Sequence, residues 1–170
     1  MKKVFLATLS VMLFLSTFFG GSVSTAIAKG PKVLKFNSMV GVPPGLTGAQ
    51  SVLPLRGING GGFAWMIGEA SGELRANGHL EISVQGLVFA AGPNTGSNTV
   101  TFFRGLVSCV RSDGTFANIQ TDPFPATTGP ASEGGGNAEI VADLDIPQPC
   151  IAPIIFVTSP GGSWFASTGL

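Results

Sequence analysis

Tyrosine is absent from this chain of 170 residues, histidine occurs once, cysteine twice, and charged residues make up only 11%. Each scarcity excludes something. A single histidine, His79, with no Gly-x-Ser-x-Gly elbow leaves no base-and-nucleophile arrangement for acyl transfer, and its place beside Gly78 in a turn suits an exposed imidazole. Two cysteines without a CxxC or a nearby histidine do not make a zinc site. Scarce Lys and Glu argue against long helices, whose exposed faces normally carry them. The glycine runs 60–62 and 134–136 lack the Gly-Lys-Ser/Thr ending of a phosphate loop, so turns are the simpler account.

What is present begins with an export signal. Lys2 and Lys3 precede an apolar run over 4–19, and Ala26-Ile27-Ala28 supplies a small-residue exit, which is the order of a secretory signal peptide. Thr8, Ser10, Ser16 and Thr17 interrupt the run, and it falls short of the roughly 20 apolar residues that span a bilayer. Residues 1–28 are therefore expected to be cleaved, leaving 29–170 as one secreted domain, extracellular, periplasmic or wall-associated. No cysteine follows the run to carry a lipid, so no stable membrane anchor is expected. Without Lys2 and Lys3 the basic residues number seven against nine acids, a net charge of seven minus nine, or −2. Nucleic acid, which demands a clustered basic field, is an unlikely partner for such a surface.

Apolar stretches alternate with Gly, Pro, Asn and Ser clusters too closely for helices. Strands are expected at 33–40, 50–56, 63–70, 72–75, 79–90, 99–110, 116–121, 138–146, 153–158 and 163–167. This is the pattern of an all-β fold, an antiparallel β-sandwich or a partly closed barrel. In the segment 72–85, a three-residue loop Ala76-Asn77-Gly78 with Gly78 left-handed sets Leu74 opposite Leu80 and Gly72 opposite Ile82, so that Leu74, Leu80, Ile82 and Val84 share a buried face. Glu73 then faces Glu81, unfavourably unless Arg75 or a cation intervenes. A second run places Ala138, Ile140, Ala142, Leu144 and Ile146 inward and Glu139, Asp143 and Asp145 outward. The stretches 99–110 and 151–157 are apolar on both parities and read as strands covered on both faces, while 121–137 reads as a long surface loop.

Cys109 and Cys150 are expected to form one disulfide, because compartments beyond the membrane tolerate oxidised thiols. Closing a loop of about 42 residues stabilises a fold by about 4 kcal/mol in the chain-entropy treatment.

The stretches 56–65, 72–88, 102–109 and 150–166 resemble a group of small secreted bacterial proteins of no assigned function, and the resemblance implies no activity. Gly41-Val42-Pro43-Pro44 followed by a glycine-bounded hairpin is similar to extracellular CHRD-type β domains, although the His-containing segment of that pattern is missing.

Three kinds of site are conceivable. Phe63 with Trp65, two apart on a strand, and Trp164 with Phe165 could form a ligand platform; the competing account is core packing, since a chain without tyrosine fills its interior with Phe and Trp. Glu73, Glu81, Asp143 and Asp145, with Asp113 or Asp122 from loops, could hold calcium, although no EF-hand loop is present. Paired carboxylates, from Glu69, Glu73 and Glu81 or from Glu139, Asp143 and Asp145, could run glycan hydrolysis if they faced across a cleft. Solvated faces of amphipathic strands explain both groups as well. No cofactor is expected. The expected function is a secreted, non-enzymatic binding or structural module whose partner is an extracellular protein or polysaccharide, with a carboxylate hydrolase and a calcium-stabilised β domain as alternatives.

Overall fold

The computed structural model describes residues 30–45 and 54–169. The expected leader, and residues 50–53 of the strand expected at 50–56, lie outside them. Along the chain come β1 (Lys32–Phe36), β2 (Val40–Gly41), β3 (Trp65–Met66), β4 (Glu69–Arg75) and β5 (His79–Gln85). These are followed by β6 (Val88–Phe89), β7 (Ser97–Asn98), β8 (Phe102–Val110), β9 (Phe116–Gln120) and β10 (Phe124–Pro125). The last are β11 (Gly129–Pro130), β12 (Ala138–Asp143), β13 (Ile151–Thr158) and β14 (Trp164–Ser167).

Two antiparallel sheets carry the fold. One runs β1-β4-β5-β12; the other runs β10-β8-β13-β14-β2, with β9 also paired to β8, and neither closes into a barrel. The architecture is an open all-β sandwich. The hairpin between β4 and β5 has the register that alternation demands: Leu74 opposes Leu80, Gly72 opposes Ile82 and Glu73 opposes Glu81. Its turn closes by the Gly78 amide donating to the Arg75 carbonyl at 2.9 Å, with Gly78 at φ 86°, a conformation that disfavours any residue with a Cβ.

Leu74, Leu80, Ile82, Val84 and Ile140 are buried on one sheet, and Phe103, Val107, Cys109, Ile155 and Val157 on the other. Gly105 marks how closely the layers approach, since a Cβ there would lie 3.0 Å from Leu80 Cδ2 and 3.1 Å from Ile82 Cδ1. Burying roughly a dozen such side chains, each worth about 1.5–3 kcal/mol, dominates the favourable side of folding.

The stretches apolar on both parities are covered on both faces over 105–109 and 155–158, while Phe102 and Ile151 at their ends stay exposed. Behind β8 and β13, the segment 54–62 crosses the second face: the Arg56 guanidinium donates to the Ser108 carbonyl at 2.9 Å, and the Trp164 amide to the Asn59 carbonyl at 2.8 Å. Beneath it the Phe156 and Trp164 rings meet edge to face at 6.2 Å. Within the described part of the strand expected at 50–56 only a single bridge forms, Leu55 to Ile58, because the chain turns there at Arg56 and Gly57, both at positive φ.

The expected long loop is more ordered than its composition suggests. Phe124 and Pro125 pair with Phe103 and Phe102, and Gly129 and Pro130 pair with Asn98 and Ser97. Buried Asn98 secures this stretch by donating from Nδ2 to the carbonyls of Val100 and Thr127, both at 2.8 Å. Cys109 on β8 is bonded to Cys150 at the entry to β13, across two strands already paired through Val110 and Ile151. A disulfide is compatible with an extracellular or periplasmic location. Among the described residues no helix is long and apolar enough to cross a membrane.

Candidate functional site

The rings proposed for a ligand platform belong to the interior. Trp65, Trp164 and Phe165 are 3%, 1% and 4% exposed, against 49% for Phe63. Trp65 lies stacked on Phe165 at 3.9 Å and against Phe89 at 4.1 Å, while Phe63 touches Phe89 edge-on at 6.1 Å. Phe63, Phe89, Trp65 and Phe165 therefore form one ladder leading inward from a single exposed ring, while Trp164 packs apart from it on Phe156. Phe63 and Trp65 part company because β3 begins only at Trp65, so the two-residue alternation does not extend back to 63. Partners from three segments decide the packing, and local spacing cannot supply them.

Three of the expected cation ligands, Glu73, Glu81 and Asp143, are held by the protein's own basic side chains. On the outer face of the four-stranded sheet, Glu73 accepts from Lys32 Nζ at 2.5 Å and from the Arg75 guanidinium. The Lys32 hydrogen bond, reinforced by Arg75, keeps the Glu73 carboxyl below the usual range against the opposing effect of burial. His79 stands opposite Asp143 across β5 and β12, with Nδ1 2.7 Å from Asp143 Oδ1 and Nε2 2.8 Å from Glu81 Oε1. The hydrogen bonds to Asp143 first and Glu81 second raise the imidazole above its ordinary value. Facing acids thus coexist because side-chain cations intervene. Asp145 lies exposed beyond β12. Asp113 caps its own turn, accepting from the Thr115 amide at 2.9 Å and hydroxyl at 2.7 Å. Among the described residues no group of three or more His, Cys, Asp or Glu side chains is arranged to hold a metal ion.

The same sheet face changes character toward the start of β4. The row through Ser71, Ser83 and Glu139 retains one bond, Ser83 Oγ donating to Glu139 Oε1 at 2.5 Å. Beyond it, Glu69 opposes Gln85, and there the surface sinks into two adjoining depressions of about 290 and 500 Å³ that share Ile67, Gly68, Glu69 and Gln85. The first also takes in Asn37, Ser38, Ser71 and Ser83; the second extends to Met66, Val88, Ala131 and Asn137. Together they make one groove across the end of the sheet.

Within the groove, side chains and backbone are in opposite states. Among the described residues, the side chains of Asn37, Ser38, Glu69, Ser71 and Gln85 make no internal hydrogen bond or ion pair. The neighbouring backbone is engaged: the Gly68 amide donates to the Gln85 carbonyl at 3.0 Å, Leu87 to Gly136 at 3.0 Å, and Gly86 to Asn137 Oδ1 at 2.9 Å. Sequence reasoning places Glu69 among the hairpin acids and misses the other four. The signal was the outward polar parity of β4 and β5, which identifies a wet face and says nothing of its curvature.

Two other depressions have some of their polar side chains engaged from within. One of about 450 Å³ includes Asn59, Asn118 and Ser163, and Asn118 Nδ2 already donates to the Arg56 carbonyl at 3.0 Å. Another of about 380 Å³ brings Asp122 near Asp143, the carboxylate bound to His79.

No family model, curated protein or solved structure matches the chain. Function has to be argued from the groove itself.

Proposed function

We propose that this chain is a secreted, non-enzymatic binding module that holds a polysaccharide in the groove beside Glu69 and Gln85. The observation that carries the reading is the contrast along one sheet face. Half of it is cross-linked by its own charges, whereas the concave half presents carboxamide, hydroxyl and carboxylate groups without internal partners. Such groups donate and accept in the mixed fashion that sugar hydroxyls require. Met66, Ile67 and Val88 give the second depression an apolar wall for the hydrophobic face of a sugar ring.

An extended peptide ligand fits less well. Strand addition depends on open main-chain groups, and the backbone amides of Gly68, Gly86 and Leu87 are already engaged. Hydrolysis fits less well too, because general acid–base cleavage of a glycoside uses two carboxylates and the groove is lined by one.

Sedimentation of the secreted product with insoluble neutral polysaccharides tests the proposal. The double variant Ser71→Ala, Gln85→Ala removes two hydrogen-bonding groups worth about 1 kcal/mol each, so binding should weaken about thirtyfold without loss of folding. Equal binding by the variant and the parent protein would place the ligand elsewhere.

A further inference from the structure

Resting on that reading of the groove, we propose that its preferred ligand is an amine-bearing saccharide, a polymer of glucosamine type, whose ammonium group pairs with Glu69. Glu69 lines both depressions and, among the described residues, is the only ionisable one lining either. It is exposed and makes no hydrogen bond or ion pair with another described residue. Every other acid on this sheet face from β4, β5 and β12 has a partner: Glu73 has Lys32 and Arg75, Glu81 and Asp143 share His79, and Glu139 accepts from Ser83.

Among the described residues no basic side chain forms an ion pair with Glu69. Lys32 and Arg75 are committed to Glu73, and Lys35 stands opposite Glu73 rather than Glu69. Arg56 lies over the Phe116 ring at 5.4 Å on the opposite sheet, and Arg111 reaches the Phe116 carbonyl at 3.4 Å. The groove is therefore electronegative, with Glu139 one row away adding to the field. A polyanionic sugar is repelled there, a neutral one is tolerated, and an ammonium gains a charge-assisted hydrogen bond.

Gln85, directly across from Glu69, and Ser71, two residues along the same strand, offer neutral partners for the hydroxyls that flank an amine on a sugar ring. A lysine side chain could present the same charge. A peptide carrying it would find the amides of Gly68 and Gly86 already engaged, which favours the saccharide.

The test compares glucosamine hexamer with N-acetylglucosamine hexamer by calorimetry on the secreted product. The measurement is made at about pH 5.5, where the sugar amine is protonated. An ion pair in an open groove should make the amine form bind about fivefold tighter at low salt, with the difference vanishing near 1 M salt. In Glu69→Gln the fivefold preference should disappear, so that the two hexamers bind equally, and the thermal unfolding curve should stay unchanged. Equal binding of both hexamers, or a preference that survives in Glu69→Gln, overturns the amine assignment and leaves the groove standing as a saccharide site. If neither hexamer binds and a lysine-rich peptide does, the saccharide assignment falls along with the amine. If none of the three binds, both assignments fall.

Discussion

Removing the disulfide with the double variant Cys109→Ala, Cys150→Ala perturbs the unfolded chain far more than the folded one. β8 and β13 remain paired through six registered positions without it, so the native sheet loses one side-chain contact and no ladder. The unfolded chain, by contrast, is freed from a closed loop with a sequence separation of 41. The chain-entropy relation gives about 4 kcal/mol for a loop of this length. Deleting the sulfur of fully buried Cys109 adds about 1 kcal/mol of lost packing. A total near 5 kcal/mol is a large share of the roughly 5–15 kcal/mol by which domains are stable. Trp65 and Trp164 are both buried, so their fluorescence reports global unfolding directly. With a urea slope of about 2 kcal/mol/M, the midpoint should fall by more than about 2 M. A shift below about 0.5 M would refute the reasoning, and would mean that the variant chain keeps positions 109 and 150 close together when unfolded.

The His79 clasp predicts a pH dependence of definite sign. Because its pKa is raised on folding, its contribution is fully present below the unfolded value near 6.5 and is lost as pH rises through the higher folded value. Wild type should exceed His79→Gln by about 1 kcal/mol near pH 5.5, discounted for an Asp143 side chain that is 80% exposed, and the two melting curves should converge at about pH 9. A gap that widened with alkali would contradict the clasp. Along the aromatic ladder, Trp65→Ala should cost about 3–5 kcal/mol in chemical denaturation and half-exposed Phe63→Ala less than about 1 kcal/mol. Equal losses would show that the ladder does not lead inward as described.

Much of the architecture was legible because it depends on neighbours in sequence. Alternation in 72–85 settled both the turn and the register of β4 against β5, since the other loop length mixes apolar and polar faces. The doubly apolar stretches pointed to strands covered on both sides. Alternation failed where a strand starts late, as at Phe63 and Trp65, and composition failed over 121–137, where Asn98 orders a segment that reads as a loop. The candidate site was legible only as polarity. Glu69, Ser71, Ser83 and Gln85 announce a wet face, but whether that face is flat, cross-linked or concave depends on β1, β6 and the 131–137 segment arriving beside it.

The sequence by itself determined that the chain is β-structured and which residues of the hairpin turn inward, and its two cysteines led to the expectation of one disulfide, whose closeness the pairing of β8 with β13 supplies. Only the tertiary structure decided that the sheets stay open, that Trp65, Trp164 and Phe165 lie inside, and that Lys32, Arg75 and His79 pair with Glu73, Glu81 and Asp143 and leave Glu69 without a partner among the described residues. The division has a physical cause. Side-chain alternation is a property of a single strand, whereas burial, charge pairing and concavity arise where strands distant in sequence meet, and the energy that selects those meetings is shared among many weak contacts.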